Sequence, residues 1–165
     1  MYAEKFNIRL SVVIEMIHWI NKNLDRTIQA KDVTRQSGYT HWHFQRLFRE
    51  VTGYTLSDYI RLSRILMVAH ALATSPLKIT HICFDHGFPS QQALARLFRQ
   101  YCHCTPTEFR RSARDNPDFL SSFTGALLKQ HRHNPTATGK VERGHCLRTR
   151  LAVSAINREP GRCAC

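Results

Sequence analysis

The side chains best equipped for chemistry in this 165-residue chain are arginines and glutamines, and they recur in register. Arg-Leu-Phe-Arg is written twice, at 46–49 and again fifty positions later at 96–99. Around the first copy, Trp42, Gln45, Arg46 and Arg49 fall at i, i+3, i+4 and i+7, one face of a helix. Around the second, Gln92, Ala95, Arg96 and Arg99 keep that spacing, with Gln91 beside them. A guanidinium presents two parallel donors that match guanine O6 and N7, and a carboxamide presents a donor and an acceptor that match adenine N6 and N7. An indole packs on sugar or on a thymine methyl. On one isolated helix, such a face is usually just solvated. Two matching faces on a chain of net charge +12 and pI near 10.0 point instead to a polyanionic partner, nucleic acid first and an anionic membrane surface second.

Catalysis has less to stand on. Only 12 acidic residues are present, without a paired motif, and the ten histidines are scattered. The six cysteines make no Cys-x-x-Cys pair; Cys102/Cys104 and Cys163/Cys165 are separated by a single residue, which is poor metal-ligand spacing. No enzyme activity, metal or cofactor is therefore expected. No run of about 20 apolar residues could span a bilayer, and the charged start "MYAEKFNIRL" is unlike a signal peptide. A cytoplasmic location follows, with the cysteines reduced.

Helices must position those side chains, and the pattern from 8 to 112 is helical throughout. Ile8, Val12, Ile17, Ile20 and Leu24 mark a first helix ending near Asn23. A short helix near 31–37 stops at Gly38, and Thr40 opens the next, closed by Gly53. Thr55 with Asp58 starts a long helix that runs to about Thr74, before Pro76. The order then repeats: a short helix near 78–86 stops at Gly87, Ser90 caps a helix to about Cys102, and Thr105, Pro106 and Glu108 form a full start signal. In each copy the apolar stripe (Phe44, Leu47, Phe48, Val51; Leu94, Leu97, Phe98, Tyr101) lies opposite the arginines. The expected fold is all-α, about seven helices in two helix-turn-helix modules. The modules span about 8–53 and 77–112 of a 1–112 domain, and a central helix of about 55–74 joins them. That helix, about 27 Å long, would set two recognition helices into successive major grooves, so that a monomer reads an asymmetric site.

The stretches "WINKNLD", "GYTHWHFQRLF", "DYIRLSR", "GFPSQQALARLF" and "TPTEFRR" resemble the DNA-binding domain of the AraC/XylS family of bacterial transcription regulators, nearest to its MarA, SoxS and Rob subgroup. The resemblance runs from about Ile8 to Arg111. It implies binding to double-stranded promoter DNA, in the bacterial nucleoid, and contact with RNA polymerase. It further implies activation of stress or antibiotic-resistance genes; repression without polymerase contact is the alternative. By motif, Trp42, Gln45 and Arg46 would read bases through the first module, and Gln91, Gln92 and Arg96 through the second. Thr40, Arg49, Arg61, Arg99, Arg110 and Arg111 would hold the DNA backbone or contribute secondarily. The chain departs from the subgroup at Pro89, before Ser-Gln-Gln, at Ala93 and Ala95, where threonines are frequent, and at Cys83. Residues 113–165 have no counterpart; with nine Lys/Arg against four Asp/Glu they form a basic extension, with one helix expected near 117–131 and flexible chain elsewhere.

Overall fold

The computed structural model describes residues 2–130 of the chain, which form eight helices and no strand. They are α1 (Tyr2–Lys22), α2 (Ala30–Ser37), α3 (His41–Thr52), α4 (Leu56–Thr74), α5 (Ile79–Asp85), α6 (Gln91–Cys102), α7 (Pro106–Asp115) and α8 (Phe119–Gln130). The all-α expectation holds. α1 begins at Tyr2, earlier than its apolar pattern does, since Ala3, Glu4 and Lys5 favour a helix by intrinsic propensity.

Local chemistry sets most boundaries. Thr55 Oγ1 accepts the Asp58 amide at 3.1 Å, Ser90 Oγ accepts the Ala93 amide at 3.1 Å, and Thr105 with Glu108 closes a reciprocal capping box. α2 has an unforeseen box of its own, in which the Asp32 carboxylate accepts the Gln29 amide at 2.9 Å. The internal repeat extends to the packing. Phe48 meets Tyr59 edge-on at 5.4 Å, and fifty residues later Phe98 meets Phe109 edge-on at 5.3 Å. Both recognition helices end on a left-handed residue, Gly53 in the first copy (φ 79°) and His103 in the second (φ 55°).

α4 is more than a spacer. It buries Leu56, Tyr59, Ile60, Leu62, Ser63, Ile65, Leu66, Val68, Ala69 and Leu72, nearly its whole circumference, and touches α2, α3, α5, α6, α7 and α8. Burial pushes the Tyr59 hydroxyl up to about 12, with the Ser63 and Asn21 side chains opposing in part, which keeps it a neutral core group. The modules are also joined directly. Gly87, in the turn between α5 and α6, has φ 71°, and a Cβ there would lie 3.0 Å from the Asp25 carbonyl oxygen and 3.1 Å from Arg26 backbone atoms. Thr27 Oγ1 donates to the Gly87 carbonyl at 3.4 Å. The α1–α2 loop therefore rests against the turn of the second module.

α8 is packed rather than appended. Phe119 and Phe123 lie 5.1 and 4.7 Å from the Phe109 ring, Leu127 is buried, and Tyr54 Oη donates to the Leu128 carbonyl at 3.2 Å. The rest of the basic extension, 131–165, lies outside the described residues, as do Cys146, Cys163 and Cys165.

Candidate nucleic-acid interface

In α3 the side chains divide as the periodicity requires. Phe44, Leu47 and Phe48 are buried against α1, α2 and α4, and this fixes the rotation of the helix. Trp42 is left 70% exposed, Arg46 and Arg49 are exposed, and Gln45 is half-buried at the edge of the same face. In α6, Leu94, Phe98 and Tyr101 turn inward, while Gln91, Gln92, Arg96 and Arg99 are exposed. A Trp exposed to this extent is unusual for a residue whose burial would stabilise the fold by a few kcal/mol. It leaves an apolar ring open to solvent on the arginine-bearing face.

The arginines are not equivalent. Arg46 is bracketed along its own helix: its Nε donates to Glu50 Oε1 at 2.9 Å, and its guanidinium carbon lies 5.8 Å from the centre of the Trp42 ring. Trp42, His43, Arg46, Leu47 and Glu50, with Arg9 of α1, line a groove of about 270 Å³. Arg61 pairs loosely with Asp58 at 3.5 Å and lies beside Tyr101. Arg110 stands apart from the rest. It is half-buried, donating from Nη2 to the Leu77 carbonyl at 2.7 Å and from Nε to the Leu72 carbonyl at 3.4 Å. These bonds fasten the end of α4 and the α4–α5 connection. Arg111 is exposed.

Thr40 is the positional N-cap of α3, yet its hydroxyl makes no capping bond, so an exposed hydroxyl sits at the positive end of a helix. At the start of α6, Gln91 Nε2 donates to Thr80 Oγ1 of α5, which restrains Gln91 and leaves Gln92 on the open face. Ala93 and Ala95 are half-buried, and Pro89 is exposed in the turn ahead of the Ser90 cap. Glu50 and Arg64 are functional or structural groups that the arginine pattern does not mark. Glu50 had a signal, an acid four residues after an arginine. Arg64 had none, since its Nη2 donates to the carbonyls of Arg26 and Ile28, far away in sequence.

Other chemistries find little support in these contacts. Burial pushes the Cys83, Cys102 and Cys104 thiols up, away from the thiolate form a nucleophile or a metal needs. Among the described residues, no group of three or more His, Cys, Asp or Glu could hold a metal ion, and no helix is long and apolar enough to cross a membrane.

Two helix-turn-helix modules built on a shared core helix, each turning arginine and glutamine outward, define a DNA-binding transcription regulator. Residues 33–112 match a helix-turn-helix domain family. The chain is 37% identical over 110 residues to the HTH-type transcriptional activator AarP of Providencia stuartii, covering 67% of this chain and 82% of the relative. It is 39% identical over 99 residues to the regulatory protein SoxS of Escherichia coli strain K12, covering 60% and 92%. Its fold matches the crystallised DNA-binding domain of AdpA, a global transcriptional factor in complex with a target DNA, with a TM-score of 0.60 at 23% identity, covering 62% of this chain and 93% of that one. The chain belongs to the AraC/XylS family of transcription regulators.

Proposed function

We propose that this regulator activates stress or resistance genes, reading an asymmetric promoter site as a monomer with α3 and α6 in successive major grooves. Trp42, Gln45 and Arg46 read the first half-site, and Gln92 and Arg96, with Gln91 at the helix start, read the second. Thr40, Arg49, Arg61, Arg99 and Arg111 position the duplex through its phosphates, which adds affinity without sequence information. Arg110 acts one step back, by holding the α4–α5 connection that aims the second module. RNA polymerase is the protein partner, no catalytic step is involved, and the protein works in the cytoplasm at the nucleoid.

One observation carries this reading: the same helix face is presented twice, with the Leu-Phe pair turned toward the core (Leu47, Phe48 and Phe98 buried, Leu97 partly so) and the first arginine outward in both α3 and α6. α4, at 19 residues, is about 28 Å long, of the order of one 34 Å turn of duplex once the width of the modules is added. Because α3 carries Trp42 and Gln45 where α6 carries Gln92 and Ala95, the two half-sites differ in sequence. Selection of bound duplexes from a random pool tests this. The expected consensus has two unrelated elements about one turn apart; a palindrome would refute the monomer reading, and no consensus at all would refute base reading.

A further inference from the structure

Glu50 is an odd residue for a helix face that meets DNA. A carboxylate there faces the phosphates of any duplex α3 enters, and like charges repel in the water-poor groove. It is 51% exposed at its side chain and lies on the same stripe as Trp42 and Arg46. Its Oε1 holds the Nε of Arg46 at 2.9 Å, while the Trp42 ring flanks the same guanidinium from the opposite end of the stripe, four residues earlier. With Nε held, the Nη1 and Nη2 groups are the donors left for a base edge, which is the fork that fits guanine O6 and N7.

We propose that Glu50 is a positioning and discrimination residue for Arg46. It aims the terminal fork outward, and it penalises every register in which Arg46 swings away to a phosphate, because the swing leaves Glu50 unpaired beside a polyanion. On the right sequence the pair stays intact and the repulsion is offset; on random DNA it is not. Discrimination therefore comes from weakened nonspecific binding as much as from strengthened specific binding.

The second module provides a comparison inside the same chain. The repeat places Gln92 opposite Trp42 and Gln100 opposite Glu50, so Arg96 has neither ring nor carboxylate at the matching positions. Among the described residues Arg96 makes no ion pair. The first half-site is thus read through a clamped arginine and the second through an unclamped one, and base preference is sharper in the first.

This inference rests on Arg46 being a base reader, and the experiment separates the two ideas. Glu50→Gln keeps the shape and removes the charge; Gln100→Glu installs the missing acid beside Arg96; Arg46→Ala removes the reader. Each full-length variant is titrated against the duplex selected by the wild-type protein, against its single base-pair variants, and against a random duplex, at several salt concentrations. Glu50→Gln is expected to bind random DNA more tightly, with a salt slope steeper by about one phosphate contact. It should lose about three- to ten-fold of the preference at the base pair that Arg46→Ala identifies, part of the roughly 5- to 150-fold that a bidentate contact provides. Gln100→Glu should gain about as much at the base pair read by Arg96. A preference within two-fold of wild type in either variant, with Arg46→Ala still losing its own, overturns the clamp alone. An Arg46→Ala variant that keeps every base preference overturns the reader beneath it, and the clamp with it.

Discussion

The joint between the modules makes the most quantitative prediction, because the repeat supplies a matched control. Gly38 and Gly87 occupy corresponding turns and have nearly the same backbone, φ 73° and 71°. Alanine at either position must enter the left-handed region, at a cost of about 1–2 kcal/mol. At Gly38 nothing lies within 4 Å of the added Cβ, so that cost stands alone. At Gly87 the Cβ meets Asp25 and Arg26 backbone atoms at 3.0–3.1 Å. Backbone cannot rotate aside as a side-chain tip would, and the overpacking adds about 1–3 kcal/mol. Gly38→Ala should therefore lose about 1–2 kcal/mol and Gly87→Ala about 2–5 kcal/mol, against a typical total of about 5–15 kcal/mol. Thermal melts followed by circular dichroism check the ordering at about 4 °C per kcal/mol. Binding adds a second readout: relief of the clash moves the α1–α2 loop away from the second module, so Gly87→Ala should tolerate altered half-site spacing while Gly38→Ala keeps the wild-type optimum. Equal thermal losses in the two variants, with an unchanged spacing optimum, would refute the proposed joint.

Arg46→Ala should lose about 1–3 kcal/mol of specific binding and relax preference at one base pair, whereas Arg61→Ala should weaken binding to all sequences and lower the salt slope by about one; titration on specific and random duplexes distinguishes them. Arg110→Ala should destabilise the fold by about 1–3 kcal/mol, since it leaves the Leu72 and Leu77 carbonyls without their donor, and should leave the salt slope unchanged; a reduced slope would make it a phosphate contact instead. Burial holds the His86 imidazole below its ordinary value of about 6.5, with Asp85 opposing in part. The neutral ring is the form that fits, so its contribution to stability is present above pH 6.5 and is lost as pH falls through the lowered value. Melting temperature should fall on acidification below pH 6.5, and His86→Gln should flatten that dependence.

Features that depend on neighbours a few residues away are legible in the sequence. Thr55, Ser90 and Thr105 announced their helices because a cap needs only an amide three residues on. The inward Leu-Phe and outward arginines followed from helical spacing alone. Thr40 holds the capping position without the capping bond. The length of α4 is legible in the sequence and its surroundings are not. Ten of its side chains are buried, and the helices packed on it come from both sides of it in sequence, from α2 to α8.

By itself, then, the sequence determined that this protein is two copies of one helical module with paired donor faces, since periodicity, caps and turn glycines are local and the repeat makes them unmistakable. Tertiary structure decided which arginines are tied to the fold and which stay on its surface. Arg46 meets Glu50 one turn along its own helix, while Arg64 and Arg110 are held by carbonyls 33 to 38 residues away. A guanidinium left facing solvent can meet a base or a phosphate, and one committed to carbonyls holds the fold instead. That choice depends on which segments the packing brings together, and no spacing within a helix encodes it.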